Sequence, residues 1–145
     1  MENPTIESRK TYEVARKCYE TCVKHGKDVL VMEPVKGGNL VKLPADAQKV
    51  FDEVNQAENT HMSNASYAIR YAAGNENVAV VLSGMSNMEQ MRDNVSYMKD
   101  FKPLTDTEKA AIDKVVDVFN HLDMIDCTSR HYCTQQNHCP ANIMI

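Results

Sequence analysis

Two uninterrupted runs of apolar residues stand out in a chain whose other apolar positions recur mostly at helical spacing. The runs are Val29–Met32 and Val78–Leu82, and polar residues flank both of them. A short continuous apolar run is typical of a strand that is buried on both faces, as in a parallel sheet. The sequence therefore predicts two buried parallel strands joined by a right-handed crossover.

Helical spacing and stop signals predict the elements around these strands. A first helix covers residues 3–25, because Gly26 follows as its stop. Two further helices cover residues 44–57 and 65–73, and Gly74 follows the second of these as its C-cap. Helices and strands thus alternate, which is the pattern of an α/β fold.

Two capping boxes predict where the last helices begin. Ser86 to Glu89 forms one box directly after Gly84, and Thr105 to Glu108 forms the other. The helix after the second box carries one apolar stripe, which predicts a surface helix docked on a core. The stripe consists of Ala111, Ile112, Val115, Val118, Phe119 and Leu122.

The number of predicted strands is low for a sheet of this kind. Parallel sheets usually contain several strands with both faces covered, so two strands this apolar leave open edges and uncovered surface. We therefore expect the chain to be incomplete as an independent fold. We also expect a homo-oligomer that covers the exposed strands.

Composition and charge narrow the class of function. The net charge of −4 and the isoelectric point near 5.7 provide no basic surface for a phosphate backbone, so we expect no nucleic-acid partner. No apolar run approaches the roughly 20 residues that cross a bilayer, and the first residues do not resemble a signal peptide. We expect a cytoplasmic protein without a membrane partner.

The five cysteines fall into two groups. Three lie between positions 127 and 139, where a reducing compartment favours metal or cluster ligands over disulfides. Cys18 and Cys22 lie one helical turn apart in the first predicted helix. On their spacing alone we interpret these two as ordinary helix residues.

Four stretches of the sequence resemble a known family. They are similar to the last two strand-helix units of bacterial aldo/keto reductases, in the branch that carries iron–sulfur motifs at its C-terminus. The stretches are residues 2–9 (ENPTIESR), 31–40 (VMEPVKGGNL), 82–91 (LSGMSNMEQM) with Asp93 and Asn94, and 98–104 (MKDFKPL).

This resemblance implies a fold and an activity. The fold would be a partial (β/α)8 (TIM) barrel, rich in helix, with the two apolar runs as its seventh and eighth strands. Residues 1–104 would form the barrel segment, and residues 105–145 a C-terminal helix and an irregular cysteine tail. The activity of the family is carbonyl reduction with a nicotinamide cofactor, usually NADPH.

The resemblance also implies three contacts with the dinucleotide, at its adenosine phosphate, its adenine and its pyrophosphate. In that order the residues are Gly84, Met85, Ser86 and Gln90, then Asp93 and Asn94, then Gly37 and Gly38. Phosphate sites in such barrels lie after the last two strands, beside a helix N-terminus that favours an anion. The open alternative is that the glycines serve tight turns and Ser86 merely caps a helix.

The resemblance assigns no residue of this sequence as the family's proton donor. That donor is a tyrosine whose pKa a lysine lowers, with an aspartate and commonly a histidine beside it. All of them lie on earlier strands that this sequence does not contain. We therefore assign no catalytic residue and expect an oxidoreductase segment without activity of its own. The alternatives are a nucleotide- or anion-binding module, or an iron–sulfur or metal-binding protein acting through the tail.

The cysteine tail departs from the bacterial cluster motif C-x2-C-x2-C-x3-C-P. Cys127, Cys133 and Cys139 are present, but Arg130 stands at the second cysteine position and five residues separate the last two cysteines. The ligand set for a 4Fe-4S cluster is therefore incomplete. A histidine could complete it, three cysteines and a histidine would also suit zinc, and a tail without metal is the third alternative.

Overall fold

The computed structural model describes residues 6–121, with side chains from residue 13 onward. Within this range, five α-helices and two β-strands follow the order that the sequence predicts, with one turn of 3-10 helix at Lys36–Gly38. Their bounds are α1 Ile6–Lys24, β1 Val29–Met32, α2 Ala45–Glu58, α3 Asn64–Ala73, β2 Val78–Leu82, α4 Met88–Met98 and α5 Asp106–Asn120.

The two strands pair in parallel, as predicted, and end side by side because Met32 pairs with Leu82. The prediction that both faces are buried is wrong. Side chains alternate between the two faces of a strand, and in β1 every second one is open: Leu30 is 61% exposed and Met32 is 72% exposed. In β2, Val80 and Leu82 are exposed beside them. Helix α3 packs on β2, but in the described part of the chain no second layer covers the other face.

The hydrophobic core lies among the helices rather than on the sheet. Helices α2 and α5 pack against each other, and the rings of Phe51 and Tyr67 stack with their centroids 4.1 Å apart. This docking confirms the apolar stripe on α5 within the described residues, while Leu122 lies outside them. The core residues are Ala47, Phe51, Val54, Tyr67, Leu104, Ala111 and Val115.

The capping box at the start of α5 is confirmed in both directions. The Thr105 hydroxyl accepts from the Glu108 amide at 3.1 Å, and the Glu108 carboxylate accepts from the Thr105 amide at 2.8 Å. The same carboxylate, buried in the core, also accepts from the Arg70 guanidinium. One residue therefore starts a helix and holds it against α3.

Two glycines end helices for different reasons. Gly26 follows α1 with φ +59°, a backbone angle that favours glycine over other residues. Gly74 ends α3 with φ −78°, an ordinary helical value, so its C-cap is not left-handed. At position 74 the constraint is space, because an added Cβ would lie 3.1 Å from the Arg70 carbonyl oxygen.

Candidate cofactor-binding site

The loops that follow the two strands leave the same edge of the sheet. Because β1 and β2 are parallel and Met32 pairs with Leu82, residues 33–44 and 83–87 both begin at the carboxyl edge. Ligands of parallel α/β sheets bind outside this edge. The structure therefore brings the beginnings of both predicted cofactor loops to one place.

The first loop makes a tight turn that uses its own backbone groups. Gly37 and Gly38 have φ values of 65° and 98°, and Lys36 adopts a positive φ of 48° before them. The Gly38 amide donates to the carbonyl of Val35 at 3.0 Å. Both glycines thus serve the conformation of the turn, and their contact with a pyrophosphate stays a prediction.

The second loop has open space at its glycine. A Cβ built on Gly84 would meet no atom within 4 Å, and the residue does not have a positive φ. Neither the backbone angle nor a neighbouring atom therefore requires glycine at this position. What the absent side chain leaves is room beside the loop, next to the exposed Met85 and Ser86.

The cap of helix α4 is Asn87, and the predicted cap Ser86 is wrong by one residue. The Asn87 side-chain oxygen accepts from the Gln90 amide at 2.9 Å. Ser86 instead donates its own amide to the Gln90 side-chain oxygen at 2.8 Å, and its hydroxyl donates to the same atom at 3.2 Å. Serine and asparagine are both good caps, and in the structure Asn87 is the one that directly precedes the first helical residue, Met88.

The N-terminus of α4 retains backbone donors that have no partner in the described chain. The first N–H groups of a helix have no intrahelical acceptor, and Asn87 satisfies only that of Gln90. The amides of Asn87, Met88 and Glu89 are the remaining donors, and the helix dipole favours an anion before them. The Glu89 carboxylate in the same turn works against an anion, so the electrostatic balance is not one-sided.

Asp93 and Asn94 face the protein rather than the open loop. Asp93 accepts from the Ser63 hydroxyl at 2.7 Å, which ties α4 to the N-cap of α3. Asn94 donates to the Ser83 hydroxyl at 3.0 Å and accepts from the Tyr97 hydroxyl at 2.5 Å. These residues hold α4 and the start of the loop together, and their approach to an adenine stays a prediction.

Three partners in this network were not predicted from the sequence. Ser63 and Ser83 tie α4 to neighbouring segments, and Tyr97, within α4, donates to the Asn94 side chain. Isolated serines and a helical tyrosine carry no local signal for such roles. Burial, and next the nearby Asp93 carboxylate, raise the pKa of Tyr97 above its usual value. Ser83 could have been noticed from its place directly after a strand, where the loop meets the next helix.

The predicted metal ligands Cys127, Cys133 and Cys139 lie outside the described residues. Among the side chains that the structure does describe, no three or more histidine, cysteine, aspartate or glutamate residues are arranged to hold a metal ion. The 4Fe-4S cluster and its alternatives stay predictions.

Comparison with known proteins bears on nearly all of the described region. The sequence model of the aldo/keto reductase family matches residues 10–117, which is most of the chain. The chain belongs to the aldo/keto reductase family. No curated protein and no solved structure matches it.

Membership of the aldo/keto reductases indicates an oxidoreductase and agrees with the architecture. The five helices and two parallel strands between residues 6 and 121 are consistent with part of the family's (β/α)8 barrel. None of the helices in this range is long and apolar enough to cross a membrane. The match ends before the cysteine tail, so the iron–sulfur branch stays a prediction.

Proposed function

We propose that the loop after β2 and the start of α4 form the part of an aldo/keto reductase that binds the adenosine end of a nicotinamide dinucleotide. The family resemblance favours NADPH as this dinucleotide. The observation that carries this proposal is the loop at Gly84, which leaves the carboxyl edge of a parallel strand and leads into a helix N-terminus. Phosphate groups bind at this place in barrels of this class. The dinucleotide, when bound, supplies the hydride for carbonyl reduction.

The Ser86 amide and the Gln90 side chain are the groups of the loop that would contact a phosphate, while the Glu89 carboxylate opposes its charge. A phosphate oxygen would replace the Gln90 oxygen as the acceptor for the Ser86 amide. The Gln90 side chain could then turn and donate its own N–H groups, because a carboxamide carries both donors and an acceptor. Gly84 and Met85 would line the space that the phosphate enters.

Asp93 and Asn94 support the proposal by their position beside the loop, although both side chains already have hydrogen-bond partners in the protein. Each already holds a serine of a neighbouring segment, so the adenine would meet their remaining acceptor sites. In this arrangement their first effect is to keep α4 in register with the loop. Gly37 and Gly38 would supply close backbone approach to the pyrophosphate from the other loop.

We further propose that the chain does not reduce carbonyl compounds by itself. A tyrosine that acts as a general acid near neutral pH needs a lowered pKa. The two buried tyrosines of the described region shift in the opposite direction. Burial, and to a smaller extent the Glu108 carboxylate, raise the pKa of Tyr67 to about 12. Burial, and to a smaller extent the Asp93 carboxylate, also raise the pKa of Tyr97.

Titration of the chain with NADPH, followed by cofactor fluorescence, tests the binding site. We expect saturable binding that Gly84→Leu weakens at least tenfold, because the new side chain fills space that is open in the protein itself. Lys99→Leu, at the opposite end of α4, is the matched control and should leave binding unchanged. Absence of a fluorescence change at millimolar NADPH, or equal effects of both variants, contradicts the site.

A separate assay tests the proposed lack of activity. The chain is mixed with NADPH and a panel of aldehydes, and the loss of nicotinamide absorbance is followed. We expect no oxidation above the rate without protein, with or without cofactor binding. Turnover that survives Tyr67→Phe and Tyr97→Phe would place the proton donor elsewhere, and any turnover contradicts this part of the proposal.

A further inference from the structure

Cys18 and Cys22 form a pair of free thiols on one face of α1 that the dinucleotide proposal does not use. Residues four apart lie about 40° apart around a helix, with Cβ atoms about 5–6 Å from each other. We propose that this pair is a binding site for a single two-coordinate thiophilic cation, Cu(I). Helix α1 leads into β1 at the amino edge of the sheet, and its Tyr19 contacts Glu76 just before β2, whereas the two cofactor loops leave the carboxyl edge.

The surroundings of α1 leave the pair accessible. From residue 13 to the end of the helix, Tyr19, Cys22 and Val23 are the half-buried side chains, and the rest are exposed. The Tyr19 hydroxyl donates to the carbonyl of Glu76 at 3.0 Å, which marks the face that docks on the protein. Cys22 borders this face and Cys18 lies one turn away in solvent, so an ion can reach both sulfurs.

The spacing favours a bridging ion over a disulfide. A disulfide needs Cβ atoms about 3.5–4.5 Å apart, which is closer than two residues four apart in a helix come. If each metal–sulfur bond has about the 2.3 Å length of a zinc–thiolate bond, two of them span up to about 4.6 Å between sulfurs, and rotation of the two side chains can reach that distance. Binding replaces two S–H bonds with two Cu–S bonds and releases two protons, without any change of oxidation state.

The chemistry of the pair selects the class of ion. Thiolates are soft ligands that prefer Cu(I) over the harder divalent ions. Zinc in proteins takes four ligands, and the described residues offer no group of three or more donors. Two sulfurs without further donors therefore suit an ion that can be stably coordinated by two ligands.

The test is anaerobic competition with Cu(I) bicinchoninate, in the 145-residue chain with Cys127, Cys133 and Cys139 replaced by serine. We expect this protein to withdraw one equivalent of Cu(I) from the coloured chelate. Cys18→Ser or Cys22→Ser should weaken binding at least about a hundredfold, since a second linked ligand adds that order of affinity. Failure of the tail-free protein to withdraw Cu(I) overturns the proposal.

A register-shifted variant provides the matched control. Cys22→Val combined with Val23→Cys keeps the composition but turns the second thiol about 100° around the helix. We expect this variant to bind as weakly as Cys18→Ser, with an unchanged circular dichroism spectrum in the absence of copper. Binding equal to that of the unshifted pair would show that two independent thiols suffice, and would overturn the paired site.

Discussion

Arg70 on α3 and Glu108 on α5 form a two-point ion pair that is almost fully removed from solvent. The distances are 2.6 Å from Nη1 to Oε1 and 2.9 Å from Nη2 to Oε2. The guanidinium also donates to the carbonyls of Lys102 and Pro103. Since every charged atom of the pair has partners, the pair fixes where α5 begins relative to α3.

Loss of Glu108 should therefore be costly. We expect Glu108→Ala to lower the free energy of unfolding by about 3–5 kcal/mol, because it leaves the Arg70 charge buried without a counter-charge. Urea unfolding followed by circular dichroism measures this change. The control is Asp106→Ala, which removes an exposed pair with Lys109 and should cost far less than Glu108→Ala. Similar losses in both variants would argue against a special role for the buried pair.

The cap of α4 can be assigned by two neighbouring substitutions. We expect Asn87→Ala to lower the free energy of unfolding by about 1 kcal/mol, because the Gln90 amide loses its acceptor. Ser86→Ala should cost less, since it removes only a long exposed hydrogen bond from a hydroxyl. Urea unfolding of both variants measures the two losses. A larger loss of unfolding free energy for Ser86→Ala would indicate that Ser86 is the cap, as the sequence predicts.

Stability should fall at alkaline pH through Tyr67. Burial, and next the Glu108 carboxylate, raise its pKa to about 12 in the folded chain, against 10.0 for an ordinary tyrosine. The neutral form is therefore favoured in the folded state, so its contribution is complete below pH 10 and is lost as the pH rises towards 12. Unfolding measured across this window should show the decline, and Tyr67→Phe should reduce it. The exposed Tyr71 provides the control: a Tyr71→Phe variant that flattens the curve equally would contradict the assignment.

The uncovered face of the sheet should drive self-association. Leu30, Met32, Val80 and Leu82 are exposed on adjacent parallel strands, and no further strand within residues 6–121 pairs with the outer edges of this sheet. We expect concentration-dependent oligomers in sedimentation velocity, shifted towards monomer by Met32→Lys with Leu82→Lys. Val116→Lys, on an exposed position of α5, is the control and should leave the distribution unchanged. A monomer at all concentrations would remove the proposal of a homo-oligomer.

The sequence predicts the elements well because their signals are local. The apolar runs at β1 and β2, the stop at Gly26 and the box at Thr105 each depend on residues within a few positions, and the structure has all four. The prediction that both strands are buried is wrong, because the burial of a strand depends on which other segments cover its faces. An apolar run indicates only that its side chains can be buried, and not that another segment covers them.

The candidate site was predicted only in outline. Gly84 and the helix after it are placed as expected, but Asn87 rather than Ser86 caps that helix. Adjacent caps of similar strength cannot be ranked from their order alone. The bonds from Asp93 to Ser63 and from Arg70 to Glu108 join residues 30 and 38 positions apart, which no local pattern reveals.

The separation of the hydrophobic core from the sheet has a consequence for how this chain fluctuates. In the described part of the chain, the core cluster consists of residues from α2, α3 and α5 together with Leu104, and it includes no residue of β1 or β2. Amide hydrogens of the strands can therefore exchange with deuterium through openings that leave this helical cluster intact. The slowest-exchanging amides should lie around Phe51 and Val115, and the strand amides should exchange long before global unfolding.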